Sequence, residues 1–147
     1  MEVIDSFSGK VVALDTSPLI YFIEEHGRYL RFLKAFFEAN ARGHFLAVTS
    51  TVTLLEVLVQ PYRQNRLDLV DKYKAVFSGT SSVELISLRS DVAAKAAEFR
   101  AKYDLRTPDA IQVATAASAP ADYLLSNDRK LKRIELPQVL ILDDICD

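Results

Sequence analysis

The sequence predicts an α/β protein in which a mostly parallel central sheet lies between layers of helices, a three-layer α/β/α sandwich. Short continuous apolar runs, such as Val11-Val12-Ala13-Leu14, have the length and composition of strands buried on both faces. Between these runs the apolar residues recur at helical spacing, and strands alternating with helices read as the crossover units of a parallel sheet. No internal repeat, low-complexity tract or linker divides the 147 residues. One domain over residues 1–147 is expected, long enough to bury about 70% of its unfolded surface.

Taken in order, the first strand is expected over 10–14. It ends at Asp15, and Thr16-Ser17-Pro18 reads as a helix start. Leu19, Ile20, Phe22 and Ile23 make a short apolar helix that Gly27 breaks. Core packing is the default for this helix, with a dimer face over Tyr21, Phe22 and Ile23 as the alternative. A second helix is expected over 28–41, with Leu30, Leu33, Phe36 and Phe37 turned inward and Gly43 closing it. His26 and His44 flank glycines at helix ends without a metal-ligand spacing partner, and read as surface or capping residues.

Phe45, Leu46, Ala47 and Val48 form the next strand. Thr49, Ser50 and Thr51 cap a helix that runs through Leu54, Leu55, Leu58 and Val59 and ends at Pro61. Leu67, Val70, Tyr73 and Phe77 space a helix over 66–77, and Ser78-Gly79-Thr80-Ser81-Ser82 is the clearest loop. A third strand is expected over 83–88. A helix follows, starting at Ser90 or Asp91 and passing through Val92, Ala96 and Phe99 to Tyr103.

The next helix is the one on which the rest of the chain bears. Thr107 is its expected N-cap, Pro108 its first residue, and Asp109 lies over the positive end of its dipole. Ala110, Val113, Ala114 and Ala117 form a seam of small residues suited to close packing. Ala119-Pro120-Ala121 ends it, Tyr123, Leu124 and Leu125 make a fourth strand, and Asn127-Asp128 turns into a basic segment over 129–133. A last strand is expected over 139–142.

Half the residues are hydrophobic and 26% are charged, an ordinary globular composition. No apolar run is long enough to span a bilayer, so no membrane association is expected. The first residues show no basic stretch followed by an apolar core, so no secretion signal is expected. Cys146, the only cysteine, leaves no internal disulfide, and a cytoplasmic location is the natural expectation. The formal charge of −2 and pI of about 5.7 argue against binding nucleic acid mainly through a broad basic surface. They leave room for a nuclease, because metal-binding carboxylates lower the charge of a protein that acts on phosphates.

Four acids carry the functional reading. In a parallel α/β sheet, ligands bind beyond the carboxyl ends of the strands. Asp15 and Asp128 each directly follow a strand, and Asp109 starts a helix that borders the same edge. Taken singly, each has a plain alternative: Asp15 and Asp128 as N-caps, Asp109 as a dipole partner, Glu56 as part of a solvated stripe with Thr53, Gln60 and Arg63. Taken together, carboxylates gathered without a cation would repel one another and raise at least one pKa. A hard divalent ion, Mg²⁺ or Mn²⁺, resolves the repulsion and suits carboxylate, water and phosphate oxygens. Such an ion can activate water for in-line attack on a phosphodiester.

The motifs Leu14-Asp15-Thr16-Ser17, Ser50 with Glu56, Pro108-Asp109-Ala110-Ile111 and Leu125-Ser126-Asn127-Asp128 resemble the PIN domain. Within that superfamily the chain is most similar to the VapC-type toxins of prokaryotic toxin–antitoxin pairs, from about Val11 to Leu142. The resemblance implies an α/β/α sandwich, Mg²⁺- or Mn²⁺-dependent cleavage of RNA, frequent homodimers and often inhibition by a small antitoxin. It implies Asp15, Glu56, Asp109 and Asp128 as the catalytic, metal-binding quartet, with Thr16, Ser126 and Asn127 shaping the site. Asp15, Asp109 and Asp128 are assigned to the first ion, and Glu56 to a second ion or to the attacking water. Attack by that water would leave a 5′-phosphate and a 3′-hydroxyl. Arg106, Arg129 and Lys130 are the cations nearest the acids in sequence and are expected to hold substrate phosphates. The ten residues before the first strand exceed the usual leader and have no assigned role.

Other readings compete. A PIN-fold nuclease acting on DNA, or in RNA processing without an antitoxin, would use the same acids. A non-catalytic RNA- or protein-binding module would use them only for a partner or a structural ion. A phosphoryl-accepting domain would want an acidic pair at the first strand end, and a haloacid-dehalogenase-type phosphatase a second acid where Ser17 stands.

Overall fold

The computed structural model describes residues 2–79, 83–135 and 137–146. Its centre is a five-stranded, all-parallel sheet in the order β3-β2-β1-β4-β5, built from β1 (Val11–Leu14), β2 (Leu46–Ser50), β3 (Glu84–Ile86), β4 (Tyr123–Ser126) and β5 (Gln138–Ile141). The expected three-layer α/β/α architecture is the one observed. The strand order reverses between β1 and β4, paired Leu14 to Leu125 and extended by a bond from Asp15 N–H to the Leu125 carbonyl at 2.9 Å. That reversal opens a crevice at the carboxyl ends of these two strands.

Alternate strand residues face opposite layers, as the period of two requires. Val12, Leu14, Ala47 and Leu125 pack on one side with Leu19, Leu33 and Phe36. These belong to α2 (Thr16–Ile23) and α3 (Leu30–Ala41). Ala13, Val48, Leu124 and Ile141 pack on the other side with Val92, Ala96, Ala110, Val113 and Ala114, from α6 (Ser90–Tyr103) and α7 (Thr107–Ser118). Ala110, Val113 and Ala114 of the expected small seam therefore pack with the sheet residues, whereas Ala117 is only partly buried and lies outside this cluster. A smaller cluster of Val57, Leu69 and Tyr73 joins α4 (Thr51–Arg63) to α5 (Leu67–Val76), with Ile20 and Ile23 against it.

Several boundaries depart from expectation for local physical reasons. The α7 helix already includes Thr107, so Arg106 is the N-cap and Pro108 the second helical residue; Thr107 is not the cap. Pro still fits there, because the first-turn N–H groups have no intrahelical partner. The α4 helix passes Pro61 and ends at Arg63. The expected third strand keeps only three residues, and Leu142 leaves the last strand to open α8 (Leu142–Ile145). In the expected loop 78–82, Ser78 and Gly79 form a bend and the rest lie outside the described residues. Tyr21, Phe22 and Ile23 are each partly buried and pack against the core, with Phe22 stacked on Phe37 at 4.3 Å.

The unassigned N-terminal stretch has a packing role. The α1 turn (Glu2–Asp5) and Phe7 close the open end of the α3 layer. Phe7 is fully buried, edge-on to Phe36 at 5.9 Å and Phe45 at 5.5 Å, and Gly9 N–H bonds the His44 carbonyl at 2.8 Å. Phe7→Ala is expected to cost about 3–5 kcal/mol and to lower the Tm by on the order of 10 °C, checked by thermal and urea unfolding.

Candidate active site

Local sequence places each acid. Asp15 follows β1 in extended conformation and caps α2, its Oδ1 accepting the Thr16 N–H at 2.8 Å. Asp128 follows β4 by one turn and caps the 3₁₀ segment Arg129–Arg133, accepting the Lys130 N–H at 3.0 Å. Asp109 lies in the first turn of α7. Glu56 lies in the second turn of α4, which starts where β2 ends. The capping readings for Asp15 and Asp128 therefore hold, and capping leaves both acids on the cleft. The solvated stripe for Glu56 does not: Thr53 is fully buried, and Glu56 turns to the cleft.

All four carboxylates line one cleft of about 420 Å³ at the crevice between β1 and β4. Thr16, Ser17, Arg106, Gln112 and Asn127 line it with them. Ser126 stands just beneath, its hydroxyl donating to Asp15 Oδ2 at 2.7 Å and accepting the Asp128 N–H at 3.0 Å. Thr16 Oγ1 donates to Glu56 Oε1 at 3.2 Å. Arg106 Nε reaches Asp109 Oδ2 at 3.3 Å with most of its side chain in solvent.

The acids feel one another. Burial pushes the Asp15 carboxyl above its ordinary range; the Ser126 and Thr16 bonds oppose this, and the charges of Asp109 and Asp128 add to it. Burial likewise raises Glu56, opposed by its Thr16 bond and reinforced by Asp15 and Asp109. This mutual repulsion, in a cleft whose donor set is carboxylate and hydroxyl oxygen, suits a hard divalent cation. Ser17 Oγ, buried in the cleft wall, has no hydrogen-bond partner. The donor chemistry fits, although among the described residues no three His, Cys, Asp or Glu side chains are gathered closely enough, as they stand, to hold one ion.

The expected cations divide. Arg106 lines the cleft, whereas Arg129 is paired with Asp144 at 2.6 Å and Lys130 is not among the lining residues. His26 is exposed beside Tyr21 and Tyr29, and His44 contributes its backbone to the Gly9 turn.

Gln112 was missed in the sequence. It is 2% exposed, and its Nε2 donates to Thr53 Oγ1 at 2.5 Å and to Thr16 Oγ1 at 3.5 Å. Thr53 Oγ1 lies 2.9 Å from Thr49 Oγ1, which donates to the Leu14 carbonyl at 2.7 Å. A buried polar chain thus runs from β1 through α4 and α7 to the cleft. The signal was present: a lone amide in an apolar seam, three residues after Asp109 and so on its face.

A second network braces the opposite wall. Asp143 N–H donates to Asn127 Oδ1 at 3.0 Å, and Asn127 Nδ2 donates to Tyr29 Oη at 3.1 Å. Asp143 accepts the Tyr29 hydroxyl at 2.5 Å and pairs with Arg28 at 3.3 Å. The short α8 helix holds Asn127 in this way.

An all-parallel α/β/α sandwich with an acidic, cation-type cleft at its switch point is the class that fold and site define. The chain belongs to the PIN domain family, whose model matches residues 12–136. No curated protein matches it in sequence. Solved structures share its fold. VapBC2 from Rickettsia felis, bound to a DNA fragment from its promoter, is similar at 18% identity and a TM-score of 0.74, over 93% of this chain and 99% of that one. The DNA-bound VapBC of Salmonella typhimurium gives 20% identity and a TM-score of 0.64, over 90% and 98%. A toxin–antitoxin complex from Klebsiella pneumoniae gives 23% and 0.62, over 89% and 97%.

Two outcomes test this site. Gln112→Ala leaves buried hydroxyls short of a partner and is expected to cost about 1–3 kcal/mol, read as a lower Tm. Glu56→Gln keeps the Thr16 bond and removes a charge. Because the folded-state pKa of Glu56 lies above its ordinary 4.5, the folded protein holds this proton more tightly than the unfolded chain. The stability tied to that proton is lost as pH rises through the folded value. Relative to wild type, the metal-free Gln variant should gain Tm as pH rises from about 4 toward neutral, then level off. A difference independent of pH would mean that the cleft does not strain Glu56.

Proposed function

We propose that this protein is a divalent-metal-dependent ribonuclease of the VapC type, cutting RNA phosphodiester bonds in the cytoplasm as the toxin of a toxin–antitoxin pair. The observation that carries the reading is the convergence of Asp15, Glu56, Asp109 and Asp128, from four separate segments, on one cleft at the sheet's switch point. Membership of the PIN family and the likeness in fold to toxins in toxin–antitoxin complexes support it. A small antitoxin and a second copy of the chain are the proposed protein partners. Among the described residues no helix is long and apolar enough to cross a membrane.

In this mechanism Asp15, Asp109 and Asp128 would hold the first Mg²⁺ or Mn²⁺ ion. When bound, the ion supplies Lewis acidity to activate water and neutralises charge on the phosphodiester. Glu56 would hold a second ion or orient the attacking water. Its partly buried carboxylate, with raised proton affinity, suits it to take the proton from that water at an Oε atom. Ser126 and the Thr16 N–H fix Asp15, and Asn127 sets the wall beside Asp128. Arg106 is the cation placed to meet a substrate phosphate. Arg129, once released from Asp144, and Lys130 would serve the RNA backbone outside the cleft. In-line attack leaves a 5′-phosphate and a 3′-hydroxyl.

Purified protein should cut single-stranded RNA only with Mg²⁺ or Mn²⁺, and Asp109→Asn should lower the rate by roughly 10²-fold or more. Metal should raise the wild-type Tm, by about 2.7 kcal/mol of stabilisation at 100 times its Kd, and raise that of Asp109→Asn less. Folded protein that binds RNA equally well in chelator and never cuts it would favour the binding module. Cutting of DNA in preference to RNA would favour the DNA-nuclease reading.

A further inference from the structure

The four acids line the cleft, and Ile20 and Tyr21 line it with them. Tyr21 is the only aromatic ring among the described residues that line the cleft. It is half-buried, and it stacks almost parallel on Tyr29, with centroids 4.4 Å apart and planes at 13°. Tyr29 is itself 6% exposed, with its hydroxyl held between Asp143 and Asn127. The Asn127 amide also reaches Tyr21 Oη at 3.4 Å. The ring at the cleft wall is therefore backed by a second ring and held at its rim, so little freedom remains to be lost when a flat ligand meets it.

We propose that Tyr21, braced by Tyr29 and flanked by Ile20, is a nucleobase-stacking subsite for single-stranded RNA. The proposal rests on the ribonuclease reading and adds to it the group that reads the base. Phosphate and base of one nucleotide are joined through a single sugar, so a ring in the same cleft as the acids is within one nucleotide's reach. An apolar neighbour and a rigid aromatic face are what an unstacked base requires, whereas the acids themselves offer it nothing. Base-paired RNA keeps its bases stacked on one another and cannot present one to this wall. The subsite therefore selects unpaired segments, and it tolerates any base because every base has a π-face.

The test uses single-stranded oligoribonucleotides carrying 2-aminopurine, whose fluorescence falls on stacking, with Ca²⁺ as the divalent ion, alongside cleavage kinetics in Mg²⁺. Wild type and Tyr21→Phe, which keeps the ring, should quench the probe, and Tyr21→Leu should not. Tyr21→Leu should raise KM by roughly 5- to 100-fold with kcat little changed. On wild type, an abasic nucleotide at the probe position should raise KM by a similar factor, a comparison that needs no variant to fold. Equal KM for intact and abasic RNA, or undiminished quenching by folded Tyr21→Leu, overturns the subsite while leaving the nuclease reading in place. Tyr21-dependent quenching without cleavage at any metal concentration upholds the subsite and overturns the nuclease.

Discussion

Like charges do not gather in a folded protein unless something holds them, and the arrangement of this chain turns on that constraint. Three of the four acids stand at the amino ends of helical segments: Asp15 caps α2, Asp128 caps the 3₁₀ segment, and Asp109 lies in the first turn of α7. A parallel sheet with helical crossovers sends helix starts to the carboxyl edge of its strands. The positive ends of the peptide dipoles and unpaired N–H groups then meet where the carboxylates collect. Backbone geometry thus offsets part of the repulsion before any cation arrives, while burial, with the neighbouring acids adding to it, raises the proton affinities of Asp15 and Glu56.

The supports behind the acids are of two kinds. On the α4–α7 side, a buried run of hydroxyls and one amide links Thr49, Thr53, Gln112 and Thr16 to Glu56. Low dielectric strengthens such a chain when every member has a partner, and makes it costly when one does not. On the β4 side, Asn127 is held by the backbone of α8 and by Tyr29, and Asp144 of the same turn keeps Arg129 and Lys132. Each wall is braced by these bonded polar groups, with Ser17 Oγ the exception, and such bracing is what a site that must place several oxygens needs.

The sheet, its parallel sense and the acids at its carboxyl edge were legible because each depends on local pattern: a short apolar run, a cap, an acid one residue later. What was not legible depends on tertiary contact. The α1 and α8 turns are four residues each, too short to show a period, and exist because Phe7 and Leu142 fill space against α3 and the sheet. Thr53 looked like part of a solvated stripe, and only the approach of Gln112 from another helix makes it a core residue. Arg129 looked free for phosphate because its partner Asp144 lies 15 residues away. The Thr107 cap was off by one residue, the usual uncertainty at a helix end.

The strand order has a consequence for how the protein is made. The central pair of the sheet joins β1 to β4, and Ser126 meets Asp15 across 111 residues of chain. Synthesis proceeds from the amino end at about 5–20 residues per second. Until β4 is made, the chain leaving the ribosome holds Asp15 without Asp128, and β1, β2 and β3 without β4 and β5. Long-range parallel pairing of this kind is also slow to form. The acidic cleft therefore cannot be assembled on a nascent chain until β4 and Asp128 have been made. A nuclease of the proposed kind would be inert beside the very RNA that encodes it until that segment has been translated.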